Sequence, residues 1–356
     1  MKLLLTLTLL LSWQAVASQT RHKAVPHSAT IKPPLCQDFV VVQNTIWVLD
    51  KKGNLLSFNS NGSALPQKLH LASSGVSLHA TGSDSILVHA GGKVFSINTK
   101  TLSSRLVANL PDTIPLLACD KQQRLWAAGA KGLIQVATGR TYVPDSTQNI
   151  YYKWLPDPAA TLLDAAGRLW IGFGMGEWGG NLQVFNTETQ RFDYVDFRKS
   201  AACLAPVKSF CQVADQVYMS CGVMHFFTFG CITRFDALAP KPVFISDEKR
   251  NYRLTADGQK AGEYLGPTTY NVVDNSLYYY SQNGVFKAGI RSDLSKVESW
   301  KLVFKPQLHW TSGQRDAIGS PMNVSKMAAT ADGTLVLLAP NDGVGIWDGI
   351  TFNLLP

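Results

Sequence analysis

The chain of 356 residues is 46% hydrophobic and 16% charged, with 28 Gly and 17 Pro, which excludes both a disordered chain and a collagen-like fibre. Its formal charge of +8 is spread thinly: the longest basic cluster, Lys249-Arg250 with Arg253, is interleaved with Asp247 and Glu248. No phosphate-tracking stripe results, so nucleic acid is not an expected partner.

At the N-terminus, Lys2, an apolar run from Leu3 to Leu11, and Ala15-Val16-Ala17 form the charged start, core and small-x-small site of a secretory signal. The expected organisation is a signal peptide over 1–17, an N-terminal segment over 18–36, and one repeat domain over 37–356. The first cysteine is Cys36, away from the cleavage point, so a lipid anchor is not expected, and no later apolar run is long enough to span a membrane. The expected location is periplasmic or secreted. There the six cysteines (36, 119, 203, 211, 221, 231) can oxidise, and none has the CxxC spacing of a zinc site. Cys221 and Cys231 flank a nine-residue segment at facing ends of paired strands and are the expected disulfide, ahead of Cys203 with Cys211.

Along the rest of the chain one pattern recurs seven times: a short turn, an alternating apolar run, a Gly-bearing turn, and a second apolar run ending in a polar residue. Thr45-Ile-Trp-Val-Leu-Asp50 and Ser85-Ile-Leu-Val-His-Ala90 open the first two copies. With Trp47, Leu87, Trp126, Trp170, Tyr218, Tyr278 and Val336 as equivalent positions, the spacings are 40, 39, 44, 48, 60 and 58. The first four fit a four-stranded propeller blade and the last two require insertions. Further short apolar runs precede and follow the central hairpins, such as Phe39-Val-Val-Val42 and Phe192-Asp-Tyr-Val195, giving four strands per repeat. The predicted fold is therefore all-β, a seven-bladed β-propeller of four-stranded antiparallel blades.

The stretch Asp164-Ala-Ala-Gly-Arg-Leu-Trp-Ile-Gly172, followed by Gly179-Gly-Asn-Leu-Gln-Val-Phe-Asn186, resembles the two-component-regulator propeller repeat of bacterial periplasmic sensors. Blades of that family read D-x-x-G-x-L-W-I-G-T, then G-G-L and an aromatic residue beside Asp or Asn. Copy four matches well, copies three (Asp120 to Trp126) and seven (Asp332-Gly333) in part, and the others in outline. The resemblance identifies a blade type and implies the sensing half of such a receptor.

In an up-and-down blade, the turn between the first two strands and that between the last two fall at one end. The central turn and the crossover to the next blade fall at the other. The long connections, 145–158, 197–207, 247–268 and 305–323 between blades, with 173–180 and 222–230 inside blades four and five, all belong to the second end. Loops of such length in a compact domain usually carry function. Their aromatic, amide and guanidinium groups suit a carbohydrate or peptide ligand, or a protein partner, through ring area and directed hydrogen bonds. Trp178, at the tip of a glycine-flanked loop, is the expected anchor, with Trp154, Tyr252 and Trp310 beside it and Arg253 and Arg315 as donors.

An enzyme is the competing reading. His225 and His309 with Glu177 or Glu263 could converge as an acid/base or metal set, similar to the streptogramin lyase or gluconolactonase propellers, which work with a divalent metal. Apolar inner strands such as Met327-Ala-Ala329 argue against a ring of metal-binding carboxylates. Gly172-Phe-Gly-Met-Gly176 precedes a predicted strand, whereas a phosphate loop precedes a helix, and no G-x-S-x-G, H-E-x-x-H or calcium-loop motif is present. A non-enzymatic binding or scaffold propeller without cofactor or bound metal is therefore the expectation, with a metal-assisted lyase or lactonase-like enzyme as the alternative.

Overall fold

A strand covered on both faces loses the in-out alternation of a half-buried sheet, and the second strand of every repeat does so. Thr45–Asp50, Ser85–Ala90, Ser276–Ser281 and Leu335–Ala339 are buried at nearly every position. Fourth strands such as Ser104–Asn109 are mostly exposed. Such a gradient requires sheets stacked face to face, with only their outer edges in water. A computed structural model gives this arrangement directly. It describes residues 36–71, 73–114, 116–145, 155–197, 205–224, 227–254, 258–309 and 323–355. The expected signal peptide, and all of the N-terminal segment except Cys36, lie outside the described residues.

Seven four-stranded sheets follow one another, each made of four consecutive strands in antiparallel meander order. The blades occupy 36–70, 75–109, 116–142, 160–193, 207–246, 268–304 and 326–354. The protein is a seven-bladed β-propeller, as the repeats require. One added hairpin, Arg253–Leu254 paired with Lys260–Ala261, sits in the connection between blades five and six.

The hydrophobic core is divided into seven clusters, one at each junction between neighbouring blades. The residue near the start of each second strand always packs forward onto the next blade. Trp126 lies with Leu169, Ile171 and Phe185 of blade four, and Trp170 with Val217, Met219 and Phe235 of blade five. Val336 of blade seven lies with Phe39, Ile46 and Phe58 of blade one, which closes the ring. Among the described residues, no blade combines strands from the two ends of the chain, and the seam carries this packing together with polar ties across it. Ser60 donates to Asp332 at 2.5 Å, the Ala331 N–H to the Gln43 carbonyl at 3.1 Å, and Lys326 to Asp38 at 2.8 Å.

The motif of copies three and four has a physical basis. Asp164 Oδ1 accepts the backbone N–H groups of Ala166 and Arg168 at 2.9 and 2.8 Å, while Oδ2 accepts Arg168 Nε at 2.7 Å and Trp170 Nε1 at 2.9 Å. Asp120 repeats all four bonds with Gln122, Arg124 and Trp126 at 2.6 to 3.0 Å. One carboxylate thus fixes a turn, a strand entry and an indole. Blade one has Val42 at the corresponding register position, opposite Thr45, and Trp47 Nε1 is buried without a hydrogen-bond partner among the described residues.

Two connections are shorter than the sequence suggests. The second and third strands of blade five run to Met224 and from Thr228, with Gly222 paired to Gly230, so 222–230 is mainly paired strand. In blade four, Phe173 pairs with Asn181 and Gly174 with Gly180. The glycines of blade five answer to a close approach: a Cβ on Gly222 would come within 2.2 Å of the Leu265 carbonyl oxygen, and one on Gly230 within 2.5 Å of that of Glu263.

Replacing Asp164 by Ala strands an arginine, an indole N–H and two backbone N–H groups at a site where the carboxylate is 1% exposed. We expect a loss of about 3–5 kcal/mol in urea unfolding. A loss under about 1 kcal/mol would show that the carboxylate does not hold the blade.

Candidate functional site

Crossovers enter the ring at the starts of the first strands, and there those strands line a half-open cavity of about 360 Å³. Gln37 and Asp38 of blade one, Ser77 and His79 of blade two, Lys208 of blade five and Lys326 of blade seven contribute its polar lining. Val76, Leu116, Phe210 and Met327 contribute apolar surface.

Asp38 is fully engaged. Its Oδ1 accepts the Phe39 N–H and Lys326 Nζ, both at 2.8 Å, and its Oδ2 accepts the Leu78 N–H at 2.8 Å. Lys326 also donates to the Phe39 carbonyl at 2.7 Å. His79 Nε2 accepts the Leu117 N–H at 3.2 Å and lies 3.2 Å from Ser77 Oγ, which leaves Nδ1 to carry the ring proton. Burial lowers the His79 pKa to about 4, Lys326 and His89 add to the depression, and Asp38 opposes it. The imidazole is therefore neutral near pH 7. Lys208 has neither an ion pair nor a hydrogen bond among the described residues; its Nζ stands 5.2 Å from the centre of the Tyr264 ring. Burial lowers its pKa below the ordinary lysine value. With Asp38 and Lys326 cancelling, Lys208 carries the uncompensated charge among the described lining residues.

The rim residues are distributed around the same end. Trp178 ends a 3-10 turn, Gly176–Trp178, that is closed by the Met175 N–H on the Gly179 carbonyl at 2.8 Å. Its side chain is 82% exposed, and the neighbouring Glu177 is exposed as well. Tyr252 is half-buried, with Lys260 Nζ 4.4 Å from its ring centre. Arg253 and Glu263 are brought together. Arg253 Nε donates to Glu263 Oε1 at 2.5 Å, and its guanidinium lies 4.4 Å from the Phe286 ring centre. Glu263, with no exposed surface, also accepts Asn283 Nδ2 at 3.1 Å and Tyr279 OH at 2.7 Å. Burial and this carboxylate raise the Tyr279 pKa well above its ordinary value. His309 reaches Asp342 through Nδ1 at 2.6 Å and its backbone N–H at 2.8 Å, its side chain 80% exposed. Trp154, His225, Trp310 and Arg315 lie outside the described residues. Among the described residues, no group of three or more His, Cys, Asp or Glu side chains is placed to hold a metal ion. Cys221 and Cys231 face each other in register on neighbouring strands, both fully buried.

Sequence reading missed the cavity group. Lys208 and Lys326 stand at the entries to their strands, next to the apolar runs that define those strands. Nothing in their spacing indicates that they share a cavity.

The same architecture recurs among solved structures. The extracellular domain assigned to the one-component system BT4673 of B. thetaiotaomicron superposes with a TM-score of 0.56 at 12% identity, covering 88% of this chain. PorZ, a surface component of the type-IX secretion system of Porphyromonas gingivalis, gives 0.52 at 13% identity over 90% of this chain. This chain spans 38% of the length of each of those two chains. U3-55K gives 0.58 at 9% identity, covering 86% of this chain and 89% of its own. Identities this low establish the propeller fold alone. No protein-family model matches the chain, and no curated protein does. No helix among the described residues is long and apolar enough to cross a membrane.

The depressed His79 pKa carries a sign. As pH falls, the unfolded chain binds the imidazole proton near its ordinary value of about 6.5, before the folded chain does near 4. Stability from this group is complete above about pH 6.5 and is lost as pH falls towards 4, by at most about 3 kcal/mol. We expect urea unfolding across this window to show a steeper acid loss in the wild type than in His79→Gln. Parallel profiles would contradict the assignment.

Proposed function

We propose that this protein is an exported, non-enzymatic binding or scaffold propeller of the two-component-regulator type, resident in the periplasm or at the cell surface. It engages a carbohydrate or peptide ligand, or a protein partner, at the rim over blades four to seven. The observation that carries the reading is Trp178, a large apolar ring 82% exposed at the tip of a short turn. An indole so placed contributes nothing to the core and is suited to cover the face of a sugar or peptide. Extracellular sensor domains and a bacterial surface component among the structural neighbours support this reading. Tyr252 stands on the same rim as a flanking surface. Trp154, Trp310 and Arg315 belong to the proposed site by their place in sequence, and Arg253 joins it through the hairpin it shares with Tyr252.

The test is a glycan and peptide array probed with the mature protein, repeated with Trp178→Ala. Loss of about 2 kcal/mol or more of binding, with unchanged thermal stability, is expected of an anchor. Unchanged binding would remove the rim assignment. Metal-dependent turnover that disappears in His309→Ala or His225→Ala would instead establish the enzyme reading.

Export also bears on the cysteines. In an oxidising compartment Cys221 and Cys231, not bridged in this structure but opposed across paired strands, would form a link that stabilises by about 2–3 kcal/mol. Non-reducing peptide mapping of secreted protein should recover them as one linked pair. Two alkylated thiols would rule the bridge out.

A further inference from the structure

We propose that the cavity lined by the first strands is a binding site for a small monocarboxylate, anchored by Lys208. This goes beyond the rim reading and does not depend on it, since the site is built from first strands and not from rim loops.

Three observations carry it. First, an ammonium has three N–H donors and is strongly solvated in water, so removing it from solvent without an acceptor is costly. Lys208 is half-buried in the cavity wall, with the Tyr264 ring centre 5.2 Å from Nζ and no acid or hydrogen-bond acceptor among the described residues, so its donors are left to water that an anionic ligand can displace. Secondly, most of the other polar groups of the cavity already have partners. Asp38 is consumed by Lys326 and two backbone N–H groups, Ser77 is at His79, and Gln37 donates to the Val76 carbonyl at 3.3 Å. Lys208 is the cation left for a ligand. Thirdly, a cavity of about 360 Å³ lies at the small end of the range for ligand sites, and part of its lining is apolar.

Charge matching selects the ligand class. One uncompensated cation is neutralised by one negative charge; a dianion would leave excess charge beside the Asp38 carboxylate. A carboxylate offers two acceptor oxygens to the Lys208 donors, and its carbon skeleton can lie against Val76, Leu116 and Phe210. A neutral polyol of the same shape lacks the charge that makes burial of the ammonium favourable.

The experiment is calorimetric titration of the mature protein with glycolate, lactate and glucuronate. Ethylene glycol, propylene glycol and glucose serve as neutral counterparts, and sulfate as a dianion. At least one carboxylate should bind saturably, its neutral counterpart should not, and Lys208→Met should weaken binding by about tenfold or more. Lys208→Arg should retain binding better than Lys208→Met. If Lys208→Met fails to fold, reductive methylation of the wild type read by peptide mass spectrometry replaces it, with the carboxylate expected to protect Lys208. No binding by any carboxylate, equal binding by the Met variant, absent protection, or tighter Lys208-dependent binding of sulfate would each overturn the proposal. Because Trp178→Ala leaves the cavity intact, failure here is distinguishable from failure at the rim.

Discussion

Every feature of this molecule depends on the forward packing of one blade onto the next. In each second strand a large side chain reaches across to the neighbouring sheet: Trp47, Trp126, Trp170, Tyr218 and Tyr278, with Leu87 and Val336 in the same role. A single four-stranded sheet could not bury both its faces alone. Stacking into a ring buries all of them at once, and ring closure removes the two uncovered faces that an open stack would leave. The seam between blades seven and one therefore bears as much on the fold as any other junction. Among the described residues it has no shared strand to assist it.

The ring also decides where polar chemistry can reside. Apolar side chains are used between blades, so polar groups are left to turns, outer edges, the first-strand cavity and the rim. At the turns they serve structure, as Asp120 and Asp164 do by holding a loop, an arginine and an indole through one carboxylate. The first strands bring Asp38, His79, Lys208 and Lys326 around one cavity, although they are far apart in the chain. Two of these groups neutralise each other and one is uncharged near pH 7, so a lysine without a partner acid among the described residues determines the character of the cavity.

Where the determinants are local, the sequence displays them. The Asp164 to Trp170 turn places donors and acceptor within seven residues, and its repetition at Asp120 makes the blade visible. The large residue of each second strand recurs at blade-like spacing because each junction needs one. Where the determinants are non-local, reading along the chain cannot find them. Gly222 and Gly230 look like loop flanks, yet they are glycines because the 263–265 backbone crosses them too closely for a Cβ. Arg253 and Glu263 read as separate rim candidates, an arginine donor and a carboxylate acid, and only the hairpin between blades five and six shows that they bond each other. Lys208 and Lys326 share a cavity only once the ring has closed.

The central claim is that this closure is made by side-chain packing at the seam and that the two blades flanking it depend on each other. Hydrogen exchange, read strand by strand in the mature protein carrying Val336→Asp, tests it most directly. A charge buried among Phe39, Ile46 and Phe58 should lower protection in the strands of blade one as well as those of blade seven. Loss confined to blade seven, with Cys36–Val42 and Thr45–Asp50 as protected as in the wild type, would contradict it.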